Sequence, residues 1–106
     1  MPKYMVRASY TAAGAAGLLK EGGSARARAV ETLASSVGGS IEAMYWAFGA
    51  DDFFCIMDMP DANAAAALAL TVGASGSVSV TTVPLLSATD LDEVVGRRAE
   101  YRAPGA

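Results

Sequence analysis

The residue whose position most suggests chemistry is Arg26, because it falls on an apolar helical stripe. The segment 24–38, SARARAVETLASSVG, is predicted to be a helix in which Val30, Leu33 and Val37 share one face. Arg26 comes four residues before Val30 and lies on the same face, in the first turn, where the helix dipole disfavours a cation. We interpret a guanidinium in this position as the partner of an internal carboxylate or of a bound anion.

The residues just before Arg26 are compatible with an anion site. The glycine pair 22–23 precedes Ser24, whose hydroxyl is predicted to lie beside free helix N–H groups. Lys20 and Glu21 come immediately before the glycine pair, and we predict that they lie either at a solvated helix end or at the rim of the same pocket. In the alternative interpretation, the stem of Arg26 follows the edge of the core and its head reaches solvent.

Two further residues are candidates for contact with the same ligand. Tyr45 is flanked by alanines in a predicted strand, which leaves space around its ring for a cavity that contains a hydroxyl. We predict that Tyr45 faces the helices. Asp52 opens the next predicted strand and is a candidate acid for Arg26. The alternatives are that Tyr45 is an ordinary core tyrosine and that the Asp51–Asp52 doublet only forms a turn.

The composition excludes several kinds of site. The chain has no histidine and a single cysteine, Cys55. Histidine-based triads, haem ligation through histidine, zinc sites built on histidine or on several cysteines, and an internal disulfide are therefore excluded. We predict neither a metal nor a cofactor. Cys55 lies between Phe54 and Ile56 and is predicted to be a buried, unreactive thiol.

The net charge, the N-terminal sequence and the apolar stretches indicate which partners and which cellular location to expect. A net charge of −3 and an isoelectric point near 4.7 argue against nucleic acid, because phosphate binding requires a concentrated basic face. The N-terminus, MPKYMVRASYT, lacks the pattern of a secretory signal, and the apolar stretch 64–72 is too short to span a bilayer. We expect a cytoplasmic protein that binds neither nucleic acid nor membranes.

Strand alternation and helix-capping residues predict one α+β domain over residues 1–96 and a C-terminal tail over residues 97–106. The predicted strands are 3–10, 40–48, 52–59 and 77–85, and the predicted helices are 12–21, 24–37, 62–73 and a short one ending at 95. Ser87 and Asp90 form a capping box for the short helix. This order is the ferredoxin-like βαββαβ arrangement, a four-stranded antiparallel sheet with its helices on one face.

Both faces of the predicted sheet are apolar, which predicts a homo-oligomer. The chain is 53% hydrophobic and only 18% charged, and the helices can cover only one sheet face. A bare face containing Trp46 would be a large exposed apolar patch. We predict that two copies pack sheet to sheet as an isologous dimer or a higher homo-oligomer, with Trp46 as an interface anchor.

Several segments carry a resemblance that extends to about Glu93. They are YMVRASYT at 4–11, GLLKEGGSARARAV at 17–30, GGSIEAMYWAFG at 38–49, DMPD at 58–61 and LLSATDLDE at 85–93. With these segments the chain resembles the GYD domain family of small bacterial proteins, whose naming motif is Gly-x-Tyr-Asp. Here the motif is Gly49-Ala50-Asp51-Asp52, so any contribution of that tyrosine to a family site is missing. The resemblance implies a ferredoxin-like, dimeric α/β-barrel-like fold and supplies no activity.

Two functions of different classes remain open. The first is a small-molecule-binding homodimer whose pocket, between sheet and helices, takes an anionic or polar organic ligand through Arg26, with Tyr45 beside it. The alternative is a cofactor-independent oxygenase or isomerase in which Arg26 stabilises an enolate and Tyr45 or Asp52 moves a proton. A purely structural oligomer would contain no cavity.

Overall fold

The computed structural model describes all 106 residues. Its elements are β1 (Lys3–Tyr10), α1 (Ala12–Ser36), β2 (Ser40–Trp46), β3 (Phe53–Asp58), α2 (Ala62–Ala74), β4 (Val78–Leu85) and α3 (Ala88–Gly96). The four strands form one antiparallel sheet in the order β2-β3-β1-β4. The predicted α+β, ferredoxin-like βαββαβ class is confirmed, with α3 as an additional C-terminal helix.

Helix α1 consists of two helical segments that meet at Gly22. The hydroxyl of Thr11 begins the first segment by accepting a hydrogen bond from the backbone N–H of Gly14 at 3.2 Å. Gly22 has φ 81° and ψ 171°, a conformation that is essentially restricted to glycine. The predicted interruption at the glycine pair is confirmed, and it allows the two segments to take different directions.

The core lies between the sheet and the helices α1 and α2. Side chains at alternate positions of β1 and β3 point into it, as their hydrophobic pattern predicts. The buried residues are Val6, Ala8, Ala34, Phe53, Cys55, Met57, Met59, Ala65 and Leu68, and none of them is charged. The core is therefore small and entirely apolar.

Strand β2 changes phase at a β-bulge. Ile41 is opposite Met57 of β3, whereas Ala43 is opposite Ile56, so β2 advances two residues while β3 advances one. Because successive side chains of a strand point to opposite faces, the additional residue inverts the pattern for the rest of β2. Ile41 still packs against the core, but the residues beyond the bulge occupy the faces opposite to those predicted.

The inversion overturns the predicted orientations of Tyr45 and Trp46. Trp46 is opposite Phe53 and packs against the core, whereas Tyr45 is opposite Phe54 on the other face and is 71% exposed. The prediction that Tyr45 faces the helices is wrong, and so is the prediction that Trp46 faces away from them. Both errors came from extending the alternation of Ile41 through the bulge.

Helix α3 and the tail lie outside the packed body. The predicted capping box between Ser87 and Asp90 is present, but α3 contains no buried residue. Residues 97–106 are exposed and contain neither helix nor strand. The radius of gyration is 16.8 Å and the longest dimension is 57 Å, whereas a compact domain of this length has a radius of gyration of about 13 Å. No helix of the chain has both the length and the apolar character needed to cross a bilayer.

Candidate functional site

A cavity of about 570 Å³ lies between the inward face of the sheet and the helices α1 and α2. This is the place at which the sequence predicts a pocket. Its walls are mostly apolar and include Val6, Ala8 and Tyr10 of β1, Phe53, Cys55 and Met57 of β3, Val30 and Leu33 of α1, and Leu68 and Val72 of α2. A cavity of this size and character suits a small organic molecule with an apolar body.

Arg26 reaches the cavity from the second segment of α1, together with Glu21 from the first. Its Nε lies 3.5 Å from Oε1 of Glu21. Residues five apart in a regular helix point in well-separated directions, so the kink at Gly22 is what places these two side chains beside each other. The carboxylate partner of Arg26 is therefore Glu21, and not Asp52, the residue predicted from the sequence.

The Glu21–Arg26 pair leaves the Nε of Arg26 without a hydrogen bond. This Nε is enclosed by protein, and its contact with Oε1 of Glu21 at 3.5 Å is an ion pair that lacks hydrogen-bond geometry. The side chains of Arg26 and Glu21 are 36% and 39% exposed, and ion pairs at such exposure are weak. An anion that entered the cavity could accept hydrogen bonds from Arg26 in competition with Glu21.

Asp52 has a different role from the one predicted. Its Oδ2 accepts a hydrogen bond from the backbone N–H of Tyr10 at 3.0 Å, and its own backbone N–H donates to the carbonyl oxygen of Ala8 at 2.8 Å. Its carbonyl oxygen accepts from the N–H of Ala47 at 2.9 Å. Asp52 thus joins the end of the β2–β3 hairpin to β1. The prediction that it pairs with Arg26 is wrong, because the carboxylate of Asp52 is directed to the backbone of β1 while Arg26 pairs with Glu21.

The other predicted site residues do not line the cavity. Lys20 and Ser24 are exposed on α1, and neither contributes to the cavity wall. Tyr45 lies on the opposite face of the sheet, because the bulge in β2 inverts the side-chain alternation after Ile41. Of the five residues predicted to bind a ligand, the structure brings Arg26 alone to the cavity.

Sequence reasoning missed Tyr10 as a cavity residue. Its ring lines the wall, and its hydroxyl accepts a hydrogen bond from Nε1 of Trp46 at 3.1 Å. The strand pattern contained the information needed to find it, because Tyr10 shares the inward face of β1 with Val6 and Ala8. It supplies the hydroxyl group that was expected from Tyr45.

Cys55 contributes a neutral thiol to the same wall. It is only 2% exposed, and burial raises the pKa of its thiol from 9.0 to about 11. The prediction of a buried thiol is confirmed. No three carboxylate or thiol groups of the chain converge in a way that could hold a metal ion.

Comparison with known proteins agrees with the motifs in the sequence. The family model described as the GYD domain matches residues 4–95. The matched range contains the sheet almost completely, both cavity-forming helices and all but the last residue of α3. No curated protein and no solved structure matched the chain. Since the family model covers most of the chain, this protein belongs to the GYD domain family.

Proposed function

We propose that this protein is a small-molecule-binding module that works as a homodimer and takes an organic anion into the cavity. The anionic group would accept hydrogen bonds from Arg26, and an apolar body would lie against the walls formed by the sheet, α1 and α2. A cytoplasmic location is part of the proposal, because a single unpaired thiol suits a reducing compartment.

The observation that carries the proposal is the enclosed Nε of Arg26 beside an apolar cavity of about 570 Å³, where it makes an ion pair with Oε1 of Glu21 at 3.5 Å but no hydrogen bond. A half-exposed ion pair without a hydrogen bond contributes little to stability. Sites that break a local rule of this kind are expected where function requires them. A carboxylate suits the guanidinium best, because its two oxygens can accept two parallel hydrogen bonds.

The polar groups of the cavity favour binding over catalysis. The two residues that the enzymatic alternative uses to move a proton, Tyr45 and Asp52, are absent from the cavity wall. The thiol of Cys55 is held in its neutral form by burial, so it is a poor nucleophile. Tyr10 can hydrogen-bond a ligand through its hydroxyl, while Glu21 is the acid that a bound anion would displace from Arg26.

The experiment compares three probes that share one alkyl chain and differ in their head group: octanoate, octanol and octylamine. Isothermal titration calorimetry gives the dissociation constant of each at neutral pH. We expect octanoate to bind at least about tenfold more tightly than octanol, because hydrogen bonds to charged groups contribute more than neutral ones. Octylamine should bind most weakly, since its ammonium group would face Arg26.

Arg26→Met and Arg28→Met form a matched pair of variants. Methionine keeps an apolar stem and removes the charge, and Arg28 lies two residues away on the exposed side of the same helix. We expect Arg26→Met to abolish the preference for octanoate over octanol and Arg28→Met to retain it. If wild-type protein binds the three probes equally, or if Arg26→Met leaves the preference intact, the proposal is wrong.

A further inference from the structure

The sheet surface opposite α1 and α2, here termed the outer face, contains an apolar row that crosses all four strands. Cross-strand pairing aligns Ala43 with Ile56, Ile56 with Met5, and Met5 with Val83. The core and the two packed helices lie on the other side of the sheet. The four side chains of the row are half-buried and are not covered by α1 or α2, and an uncovered apolar surface is a candidate interaction site.

The next row of the outer face contains a cation whose hydrogen bonding is incomplete. Arg7 lies on the central strand β1, opposite Phe54 on one side and Thr81 on the other. Its Nε is enclosed but makes no hydrogen bond. Arg7 also forms no ion pair within the chain, so a carboxylate placed over the outer face would supply one.

Helix α3 has the complementary features. Leu91, Val94 and Val95 are 52%, 47% and 56% exposed, and their spacing places them on one helical stripe. Asp92 borders this stripe, and its carboxylate makes no hydrogen bond or ion pair within the chain. The neighbouring acids already have partners: the carboxylate of Asp90 accepts a hydrogen bond from the N–H of Ser87, and Glu93 forms an ion pair with Arg97.

The connection between β4 and α3 is short. Only Leu86 and Ser87 separate the two elements. Ser87 is held in an extended conformation by the capping box, in which its N–H donates to Asp90 at 2.9 Å and its hydroxyl accepts from the N–H of Asp90 at 3.1 Å. Because α3 has no buried residue, its apolar stripe has no covering partner within the chain.

We propose that α3 is an exchanged arm: in the homodimer, α3 of each protomer packs on the outer face of the second copy. The stripe of Leu91, Val94 and Val95 covers the apolar row, and Asp92 accepts hydrogen bonds from Arg7 of the other protomer. The proposal rests on the proposed homodimer. It identifies the covering layer as a helix of the second copy, whereas simple sheet-to-sheet packing would leave α3 exposed.

Charge reversal of the two partners tests the exchange. In the Arg7→Glu homodimer both contacts would join two acids, and in the Asp92→Arg homodimer both would join two cations. Each variant should therefore dimerise at least about tenfold more weakly than wild type. When the two variants are mixed in equal amounts, both contacts of the heterodimer join opposite charges. We expect the mixture, and the double variant Arg7→Glu/Asp92→Arg, to recover the wild-type dissociation constant.

The measurement is the monomer–dimer equilibrium from sedimentation velocity at matched concentrations, with far-UV circular dichroism to establish that each variant is folded. Arg28→Glu and Glu100→Arg are control charge reversals at exposed positions, and we expect them to leave the equilibrium unchanged. If wild-type protein is a monomer at every concentration, the homodimer and the arm are both wrong. If wild type dimerises and the single variants dimerise equally well, the homodimer stands and the exchanged arm is wrong. Weakened variants that mixing does not rescue would also overturn the contact across protomers.

Discussion

The indole Nε1 of Trp46 donates a hydrogen bond to the hydroxyl of Tyr10 at 3.1 Å, which links the edge strand β2 to the wall of the cavity. The ring of Trp46 also packs edge-on against Phe53, with ring centroids 5.2 Å apart and an interplanar angle of 61°. Since Trp46 is the single tryptophan of the chain, its fluorescence reports on this one place beside the cavity.

Removing the acceptor of this bond should destabilise the protein by a modest amount. The Tyr10→Phe variant leaves the indole N–H of Trp46 without its partner, so we expect the free energy of unfolding to fall by about 1 kcal/mol. The fluorescence emission of the folded state should shift to shorter wavelength. Urea denaturation followed by Trp46 fluorescence measures both effects. Tyr45→Phe is the control, because Tyr45 is exposed and makes no side-chain hydrogen bond, and a similar loss in that variant would contradict the interpretation.

Two glycines in the first segment of α1 should respond in opposite ways to alanine. A Cβ on Gly14 would lie 2.1 Å from the carbonyl oxygen of Ser77, whereas a Cβ on Gly17 would have no atom within 4 Å. The contact at Gly14 is with backbone, which must move, so we expect Gly14→Ala to lower the free energy of unfolding by about 2–3 kcal/mol. Gly17→Ala should raise it by about 0.5–1 kcal/mol, because alanine has the higher helix propensity. Thermal and urea unfolding of both variants provide the comparison, and equal stabilities would show that α1 does not approach β4 this closely.

The kink at Gly22 should be required for both stability and ligand binding. Its backbone conformation strains any residue with a Cβ, so Gly22→Ala should cost about 1–3 kcal/mol. The variant should also weaken octanoate binding, because relaxing the kink separates Arg26 from Glu21 and from the cavity. Gly23→Ala is the matched control, since Gly23 does not have a positive φ and has open space around its Cβ position. A Gly22→Ala variant that binds octanoate as tightly as wild type would contradict the role of the kink in ligand binding.

Burial of Cys55 should make the stability depend on pH in the alkaline range. The pKa of the thiol is raised from 9.0 to about 11 in the folded protein, so the unfolded chain loses this proton first as the pH rises. The free energy of unfolding contributed by this group is therefore retained below pH 9 and lost as the pH rises from 9 towards 11. Over this range wild type should lose about 2 kcal/mol more than Cys55→Ala. Chemical denaturation at several pH values tests the difference, and parallel profiles of the two proteins would show that the thiol ionises freely when folded.

Local sequence patterns determined most of the fold. Alternation in β1 and β3 placed Val6 and Cys55 on the inward face, glycine marked the interruption of α1, and Ser87 with Asp90 marked the start of α3. Each of these features depends only on residues that are close together in the sequence, within a single strand or a single helical turn. The family motifs along the chain were recognisable for the same reason, because they are contiguous segments.

The composition of the site was decided by the tertiary structure. The bulge after Ile41 exchanged the faces of Tyr45 and Trp46, and nothing in the alternation of β2 indicates where one additional residue is accommodated against β3. The partner of Arg26 depends on the angle between the two segments of α1. That angle is set by the backbone conformation of Gly22, which favours glycine. Arg26 could be found from the sequence because a cation on an apolar stripe is a local anomaly. Its acid could be identified only from the structure, because two residues five apart meet through a change in chain direction.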